Sequence, residues 1–187
     1  MAANPSVAEQ LLLDLLNSTP IVDGRMRDEL ADPDVVRERL VKYGQPGTAE
    51  EAQTLLDLRP LLQDVVRGTR NPQALAPFIA QVSYHAQAAD DGVAWMLEAP
   101  SGRSAAARVV LAWDELRRSS PGRLRACANS ECRLFLLDRS KPNNARWCSM
   151  AACGNRMKAR RHYQKAREAT IPENVAPENA VRENAAL

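Results

Sequence analysis

The chain has 187 residues, 45% of them hydrophobic and 26% charged, which is the composition of a globular protein long enough for one domain and a small second one. No run approaches the ~18 apolar residues that a transmembrane helix needs, so the sequence predicts no such helix. The net charge of +2 conceals a split, because residues 123–167 hold twelve Lys and Arg against two Asp and Glu, a net charge of +10, while the rest of the chain carries −8.

The first apolar run, LLLDLL at residues 11–16, does not have the form of a signal peptide. Asp14 interrupts it, and no Lys or Arg precedes it. The chain is therefore expected to be cytoplasmic, with no membrane partner and with its thiols reduced rather than paired in disulfides.

The first 80 residues predict four helices with recognisable starts. Ser6–Glu9 and Thr48–Glu51 fit capping boxes, in which a hydroxyl accepts a backbone N–H and the glutamate reaches back to the cap residue. Asp32–Pro33 and Asn71–Pro72 each place a capping side chain before a proline, and Pro60 is expected to kink or split the third helix. The side chains expected to face the core are Val7, Leu11, Leu12, Leu15 and Leu16, then Val35, Val36, Leu40 and Val41, then Ala52, Leu55, Leu56, Leu62, Val65 and Val66, and finally Leu75, Phe78 and Ile79.

Between residues 82 and 97 the apolar pattern alternates, which predicts a β-hairpin with its turn at Asp90–Gly92. Ser101–Ser119 returns to a helical pattern, and the turn formers of Ser119–Gly122 mark a boundary where the charge also changes. The predicted fold class is therefore α+β, with a mostly helical domain over residues 1–120 that contains one hairpin. The helix positions expected in the core are Ala106, Val109, Val110, Trp113 and Leu116.

All four cysteines lie between residues 127 and 153, in two equally spaced pairs. The pattern Cys127-x4-Cys132-x15-Cys148-x4-Cys153 is typical of a tetrahedral zinc site built from four thiolates. A segment of about 40 residues so rich in arginine cannot bury enough apolar surface to fold alone, and zinc contributes about 10–16 kcal/mol in zinc-finger peptides. Four thiolates leave no open position for water, so the zinc is expected to be structural.

Other roles for these cysteines stay open at this point. A nucleophilic cysteine would need a nearby base, and His162 is the one histidine in this segment. An iron–sulfur cluster also uses four thiolates, although the spacing differs from that of ferredoxins. His162 could also replace a cysteine as a metal ligand.

The residues around the cysteines predict a strand, a turn and a helix. Arg133–Leu137 is a short apolar strand expected to pack beside the metal, Lys141–Asn144 is a turn, and Trp147 is expected to cover the site. Ser149 can cap a helix that has Cys153 in its first turn. A knuckle, a hairpin and a ligand-bearing helix together suggest a small treble-clef-like finger that ends in a basic helix.

The helix after Cys153 is basic almost all round. Such a concentration of charge favours a polyanionic partner, nucleic acid first and an acidic protein or membrane surface after it, although a solvated helix without a partner is the alternative. If about four to six cations neutralise phosphates, affinity should fall steeply with salt. One side of the helix carries Arg156, Arg160 and Arg167, and another side carries Lys158, Arg161 and Lys165. The residues expected to hold the phosphate backbone are Arg156, Lys158, Arg160, Arg161 and Lys165. The candidates for base or water-mediated contacts are Asn155 and His162.

The end of the chain, IPENVAPENAVRENAAL, repeats a short polar pattern and offers few large apolar groups. It is predicted to be disordered. The sequence thus divides into residues 1–120, a finger with its basic helix at 123–167, and a tail at 168–187.

Residues 127–163 resemble the CGNR zinc finger, named for the tetrapeptide at Cys153–Arg156. Two departures from the family pattern are Ala145, where a basic residue is frequent, and Phe135, one place earlier than the usual aromatic. Upstream segments resemble, less sharply, the ABATE domain that precedes this finger in bacterial proteins described as stress-induced transcription regulators. The motifs that carry the resemblance are Asp138–Ser140, Arg146–Met150, Cys153–Arg156 and Lys158–Tyr163 for the finger, and Leu13–Ser18 and Asp28–Pro33 for the upstream domain.

The resemblance implies zinc on Cys127, Cys132, Cys148 and Cys153, and DNA binding by the basic helix. We therefore expect a zinc-dependent DNA-binding transcription regulator that works by binding and is not an enzyme. The alternatives are a protein-interaction module that docks on the transcription machinery, and an RNA-binding protein. An enzyme or ligand sensor in residues 1–120 is a further alternative, although that segment has no P-loop, dinucleotide or metalloprotease motif and His85 is not expected to be a base. A homodimer is possible.

Overall fold

The computed structural model describes the backbone of residues 6–170 and the side chains of residues 6–167. The described chain contains helices α1 (Val7–Leu16), α2 (Pro33–Lys42), α3 (Ala49–Arg67), α4 (Ala76–Ile79), α5 (Ser104–Ser119) and α6 (Asn155–Thr170), with a 3-10 turn at Pro72–Leu75 and a π-helical turn at Met150–Gly154. Three two-stranded antiparallel sheets pair β1 (Ile21–Val22) with β2 (Arg25–Met26), β3 (Ser83–Ala89) with β4 (Gly92–Glu98), and β5 (Leu124–Ala126) with β6 (Phe135–Leu137).

This mixture of helices and small sheets confirms the predicted α+β class. The expectation of one hairpin before residue 120 was wrong, because β1 and β2 form another. Their turn residues, Asp23 and Gly24, both have positive φ angles, of 50° and 76°. Two-residue strands are too short to produce an alternating apolar pattern, so the sequence carries no periodic signal for them.

The predicted helix starts are confirmed by their capping hydrogen bonds. Ser6 Oγ accepts from the Glu9 N–H at 3.1 Å, and Thr48 Oγ1 accepts from the Glu51 N–H at 3.2 Å. Asp32 and Asn71 cap their helices in the same way. Helix α3 runs from Ala49 to Arg67 without splitting at Pro60, so of the two effects expected of this proline the split is wrong and the kink stays a prediction.

Helices α1, α3 and α5 contribute most of the buried core, and side chains of α2, α4, β6 and the connecting segments add to it. The apolar stripes place most core residues correctly, and Leu58 is a fully buried residue that they missed. Four apolar side chains that were predicted to be buried are instead exposed, because each lies at the edge of its helix's apolar stripe: Val7, Val35, Val41 and Ile79.

A buried carboxylate joins α3 to the start of α5. Glu51 was expected to reach back to its own cap residue, but its side chain is 3% exposed and accepts three hydrogen bonds from the first turn of α5. The donors are the Ser104 N–H at 2.8 Å, the Ser104 hydroxyl at 2.7 Å and the Ala105 N–H at 2.9 Å. Helix α5 has no capping side chain of its own. Glu51 therefore satisfies N–H groups that would otherwise be unpaired, at the end of the helix where negative charge is favoured.

The hairpin β5–β6 packs on the helices through Phe135. This side chain is 2% exposed and belongs to the same core as α1 and α3. Its backbone N–H donates to Asn17 Oδ1 at 2.8 Å, and the Arg67 guanidinium lies 4.6 Å from its ring centroid. Arg67 also donates to the Arg133 carbonyl at 3.0 Å. The strand expected to pack beside the metal thus places its aromatic residue against the N-terminal helices.

The division at residues 119–122 stays a prediction, since residues on both sides contribute to one core. Helix α6 continues through Thr170, three residues into the tail predicted to be disordered, and residues 171–187 lie outside the described chain. Among residues 6–170, no helix is both long enough and apolar enough to span a bilayer.

Replacing Glu51 by Ala should destabilise the fold by about 2–4 kcal/mol, because the α5 donors would lose a charged acceptor inside the protein. Urea unfolding of the zinc-loaded chain measures this change. The matched control is Glu50→Ala, since Glu50 is an exposed neighbour whose side chain accepts one exposed hydrogen bond from Ser101. Equal stability losses in the two variants would contradict the capping role.

Candidate metal centre

The four cysteine sulfurs converge on one point. All four Sγ atoms lie within 4.8 Å of one another, with Cys148 Sγ 3.8 Å from Cys132 Sγ and 3.6 Å from Cys153 Sγ. All four cysteines are free of disulfide bonds. A tetrahedral zinc ion with Zn–S bonds of about 2.3 Å holds its sulfurs about 3.8 Å apart. The spacing and chemistry of the four donors therefore fit zinc.

Each pair of cysteines is positioned by a different kind of local structure. Cys127 directly follows β5, where its N–H donates to the Leu134 carbonyl at 2.9 Å, and the chain turns so that the Cys132 N–H donates to the Asn129 carbonyl at 2.8 Å. On the other side, Ser149 Oγ accepts from the Ala152 N–H at 3.0 Å and caps the π-helical turn that carries Cys153. Ser149 was predicted as the cap of this segment, and the structure confirms it.

The thiol sulfurs accept hydrogen bonds from the surrounding chain. The Leu134 N–H donates to Cys132 Sγ and the Cys148 N–H donates to Cys127 Sγ, both at 3.4 Å. The Asn129 side chain, 1% exposed, donates from Nδ2 to Cys153 Sγ at 3.5 Å. Such donors stabilise negative charge on sulfur and orient the ligands.

The acid–base properties of the thiols differ with their surroundings. Burial raises the pKa of Cys132 to about 11 and also raises the pKa of Cys148. Burial opposes ionisation of Cys153 as well, but hydrogen bonds from Asn129 and the neighbouring thiols outweigh it and lower its pKa. Four thiolates at this separation repel one another. A divalent cation at the centre would offset that repulsion and release the thiol protons.

An arginine and an aspartate brace the loop between the cysteine pairs. Arg125 donates to Asp138 Oδ2 at 2.9 Å and to the Ala145 carbonyl at 2.6 Å. Asp138 Oδ2 also accepts from the Ala145 N–H at 2.7 Å, while Oδ1 accepts from the Ser140 hydroxyl at 2.6 Å. Hydrogen bonds from Ser140 and Ala145, together with Arg125, lower the pKa of Asp138 to about 2. The loop that leads into Cys148 is therefore held by an ionised carboxylate.

Two residues next to the cysteines have definable packing roles. Trp147 is half-buried, and the Arg146 guanidinium lies 5.3 Å from its ring centroid. A Cβ atom on Gly154 would lie 2.6 Å from Met150 Sδ and 3.3 Å from Trp147 Cδ1. A side chain at position 154 would therefore require Met150 to move and the Trp147 ring to shift slightly.

The candidate nucleic-acid residues all lie on α6 and are exposed. Arg160 is not free, because its Nη2 lies 2.6 Å from Glu131 Oε1 in the turn between Cys127 and Cys132. Arg156 lies on the same side, and both arginines lower the pKa of Glu131, Arg160 more strongly. The other side of α6 carries Lys158, Arg161 and Lys165. Among residues 6–167, none of these three cations forms an ion pair.

Sequence reasoning found the four cysteines but missed Asn129, the Arg125–Asp138 pair and Glu131. Arg125 was counted as part of a basic segment, although its charge is used inside the finger. One local signal in the sequence could have identified Asn129, because an asparagine two residues after a cysteine ligand often forms a turn. In the structure, Asn129 Oδ1 accepts from the Glu131 N–H at 3.3 Å.

Comparison with known families agrees with this geometry for part of the chain. Residues 123–166 match the family model of the CGNR zinc finger. No curated protein matches the chain. The match covers the four cysteines and nearly all of the basic residues of α6.

The chain should bind one zinc ion and release about four thiol protons in doing so, because all four sulfurs occupy one site. Native mass spectrometry reports both quantities from the mass of the intact zinc complex. Cys127→Ser should bind zinc far more weakly, whereas Ser130→Ala in the same turn should bind it normally. A stoichiometry other than one zinc per chain, or unchanged zinc affinity in Cys127→Ser, would contradict this expectation.

Asn129→Ala should weaken zinc binding about tenfold or more, because it removes a buried hydrogen bond to a ligand sulfur. Competition against a fluorescent chelator gives the affinity. Asn144→Ala is the matched control, since Asn144 is an exposed asparagine in the same finger. Wild-type zinc affinity in Asn129→Ala would show that its side chain does not support the metal centre.

Proposed function

We propose that this chain is a zinc-dependent DNA-binding protein that regulates transcription. In this proposal a treble-clef-like finger holds a structural zinc ion and presents α6 to the phosphate backbone of duplex DNA. Zinc in a four-thiolate site has no open coordination position, so it supplies rigidity rather than catalysis. The protein acts by binding, and the cytoplasm is its proposed location.

The observation that carries this proposal is the free cationic face of α6, defined as Lys158, Arg161 and Lys165. Every residue from 158 to 167 is exposed, so this helix does not use its charge to pack against the body of the protein. Among residues 6–167, the three cations of this face have no acidic partner, so phosphates would meet them without breaking an ion pair. A positive helix of this kind binds duplex DNA mainly through phosphates.

The opposite side of α6 has a different proposed role. Arg160 pairs with Glu131, and Arg156 lies beside the same carboxylate. Of the five residues first expected to hold phosphates, these two are therefore partly neutralised within the finger. Asn155 and His162, both exposed, stay candidates for base or water-mediated contacts.

The N-terminal helices are proposed to form the regulatory part of the protein, in keeping with the ABATE-like motifs at Leu13–Ser18 and Asp28–Pro33. Both motifs contribute to the core or its ion pairs: Leu15 and Leu16 are buried, and Asp28 forms a bidentate pair with Arg59 at 2.6 and 2.7 Å. Because Phe135 packs on these helices, a signal received there has a direct physical connection to the finger.

Arg161→Ala should weaken binding to random-sequence duplex DNA at every sequence and reduce the log–log salt slope by about 0.9, the value for one lost phosphate contact. Arg160→Ala is the matched control, because Arg160 is already paired with Glu131 and should have the smaller effect. Fluorescence anisotropy between 50 and 300 mM salt measures both quantities.

Two outcomes would overturn the DNA proposal. One is unchanged DNA affinity in Arg161→Ala. The other is preferential binding of structured RNA, or of an acidic transcription-machinery protein after nuclease treatment, by a zinc-loaded chain that binds no DNA. Equal loss in Arg160→Ala and Arg161→Ala would instead contradict the assignment of the free face.

A further inference from the structure

The hairpin β3–β4 is exposed over nearly its whole length. Twelve of its fourteen residues are exposed, and the other two, Ala94 and Leu97, are only half-buried. Seven residues pair along each strand, from Ser83 opposite Glu98 to Ala89 opposite Gly92. A two-stranded hairpin with no cover is marginally stable in water at best. A hairpin this long therefore needs additional packing to be stable.

The two faces of this hairpin differ in chemistry. We define the apolar face by the side chains that alternate onto one side of the paired strands, and it carries no charge. Trp95 is 66% exposed, Val93 64% and Tyr84 52%. The other face is polar, with His85 Nε2 2.6 Å from Glu98 Oε2 and 3.0 Å from Ser83 Oγ. The apolar face consists of Tyr84, Ala86 and Ala88 on β3 and Leu97, Trp95 and Val93 on β4.

The base of this apolar face borders α5. Tyr84 lines a shallow cleft there, in which α5 contributes both apolar and charged residues: Leu111, Ala112, Arg108, Glu115 and Arg118. The described residues of the chain leave the face itself uncovered. An exposed apolar face bordered by polar and charged groups is typical of an interaction site.

We propose that the apolar face binds the same face of a second copy of this chain, forming a twofold dimer. An uncharged face meets its own copy without like-charge repulsion and without desolvation of any ion, whereas a charged partner would gain nothing from it. The dimer rests on β3–β4 and is independent of the DNA proposal.

The register of the hairpin also suits self-association. Toward the turn, large side chains lie on β4 and small ones on β3, since Trp95 pairs with Ala86 and Val93 pairs with Ala88; at the base, Tyr84 of β3 pairs with Leu97. A twofold axis parallel to the strands lays β4 of one copy over β3 of the other. Each Trp95 then fills the space above the alanines of the second copy. Two sheets pack face to face about 10 Å apart in this way.

The size of the face sets the expected strength of the dimer. Six side chains per copy, of which two are aromatic, cover less than the about 800 Å² per partner of a stable complex. The dimer should therefore dissociate on dilution through the micromolar range. Sedimentation velocity of the zinc-loaded full chain, without DNA, should show a mass that rises from 20.6 kDa toward twice that value with concentration.

Trp95→Lys should weaken dimerisation at least about tenfold, because it places a charge in the centre of the interface. Met96→Lys is the matched control: Met96 is the next residue on the same strand, is 51% exposed, and lies on the polar face. It should dimerise like the wild type. Circular dichroism and zinc content of both variants establish that the fold is retained.

A wild-type chain that stays monomeric at about 200 μM, well above the micromolar range expected for a weak interface, would overturn the proposal. If the wild type, but not Trp95→Lys, then bound a neutral lipid vesicle, the apolar face would be assigned to a membrane surface instead of a second copy. Equal effects of Trp95→Lys and Met96→Lys would also overturn it, since the two faces would then be equivalent.

Discussion

The carboxy-terminal part of this protein depends on one constraint. Its four cysteine sulfurs repel one another when they ionise, and a cation is needed to offset that repulsion. Two pairs of cysteines approach from a β-turn and from a π-helical turn, and their sulfurs meet within 4.8 Å. The chain around them is short of apolar side chains but rich in donors to sulfur, including two backbone N–H groups and the Asn129 amide. A metal ion would complete this arrangement by offsetting the repulsion among the thiolates.

The segment that carries the candidate metal centre packs against the N-terminal helices. Cys132 and Phe135 are three residues apart, so the segment that carries two of the cysteines also packs an aromatic ring against α1 and α3. Asn17, at the end of α1, accepts from the Phe135 backbone N–H, and Arg67 of α3 lies over the Phe135 ring. Glu9 of α1 pairs with Arg139. On the other side of the site, α6 leads directly from Cys153 into solvent. The finger thus packs one face on the N-terminal helices and exposes α6 to solvent.

Local chemistry could be predicted from the sequence, and contacts between distant segments could not. The caps of α1, α2 and α3 depend on residues two or three positions apart, so their signals are complete within a short window. The cysteine spacing is likewise local to each pair. By contrast, Glu51 acts on Ser104 across 53 positions, and Asn17 acts on Phe135 across 118. Glu131 lies within the finger, yet its effect on Arg160 depends on how the helix turns after Cys153. These residues have ordinary sequence surroundings, and their roles exist only once the fold brings them together.

Zinc K-edge X-ray absorption of the full chain tests the central claim most directly, because it counts the atoms bound to the metal. The account predicts four sulfur neighbours at about 2.3 Å with no nitrogen or oxygen in the coordination shell. A shell that contains water, imidazole or fewer than four sulfurs would contradict it, since the metal would then not be the closed four-thiolate centre that the geometry of Cys127, Cys132, Cys148 and Cys153 requires.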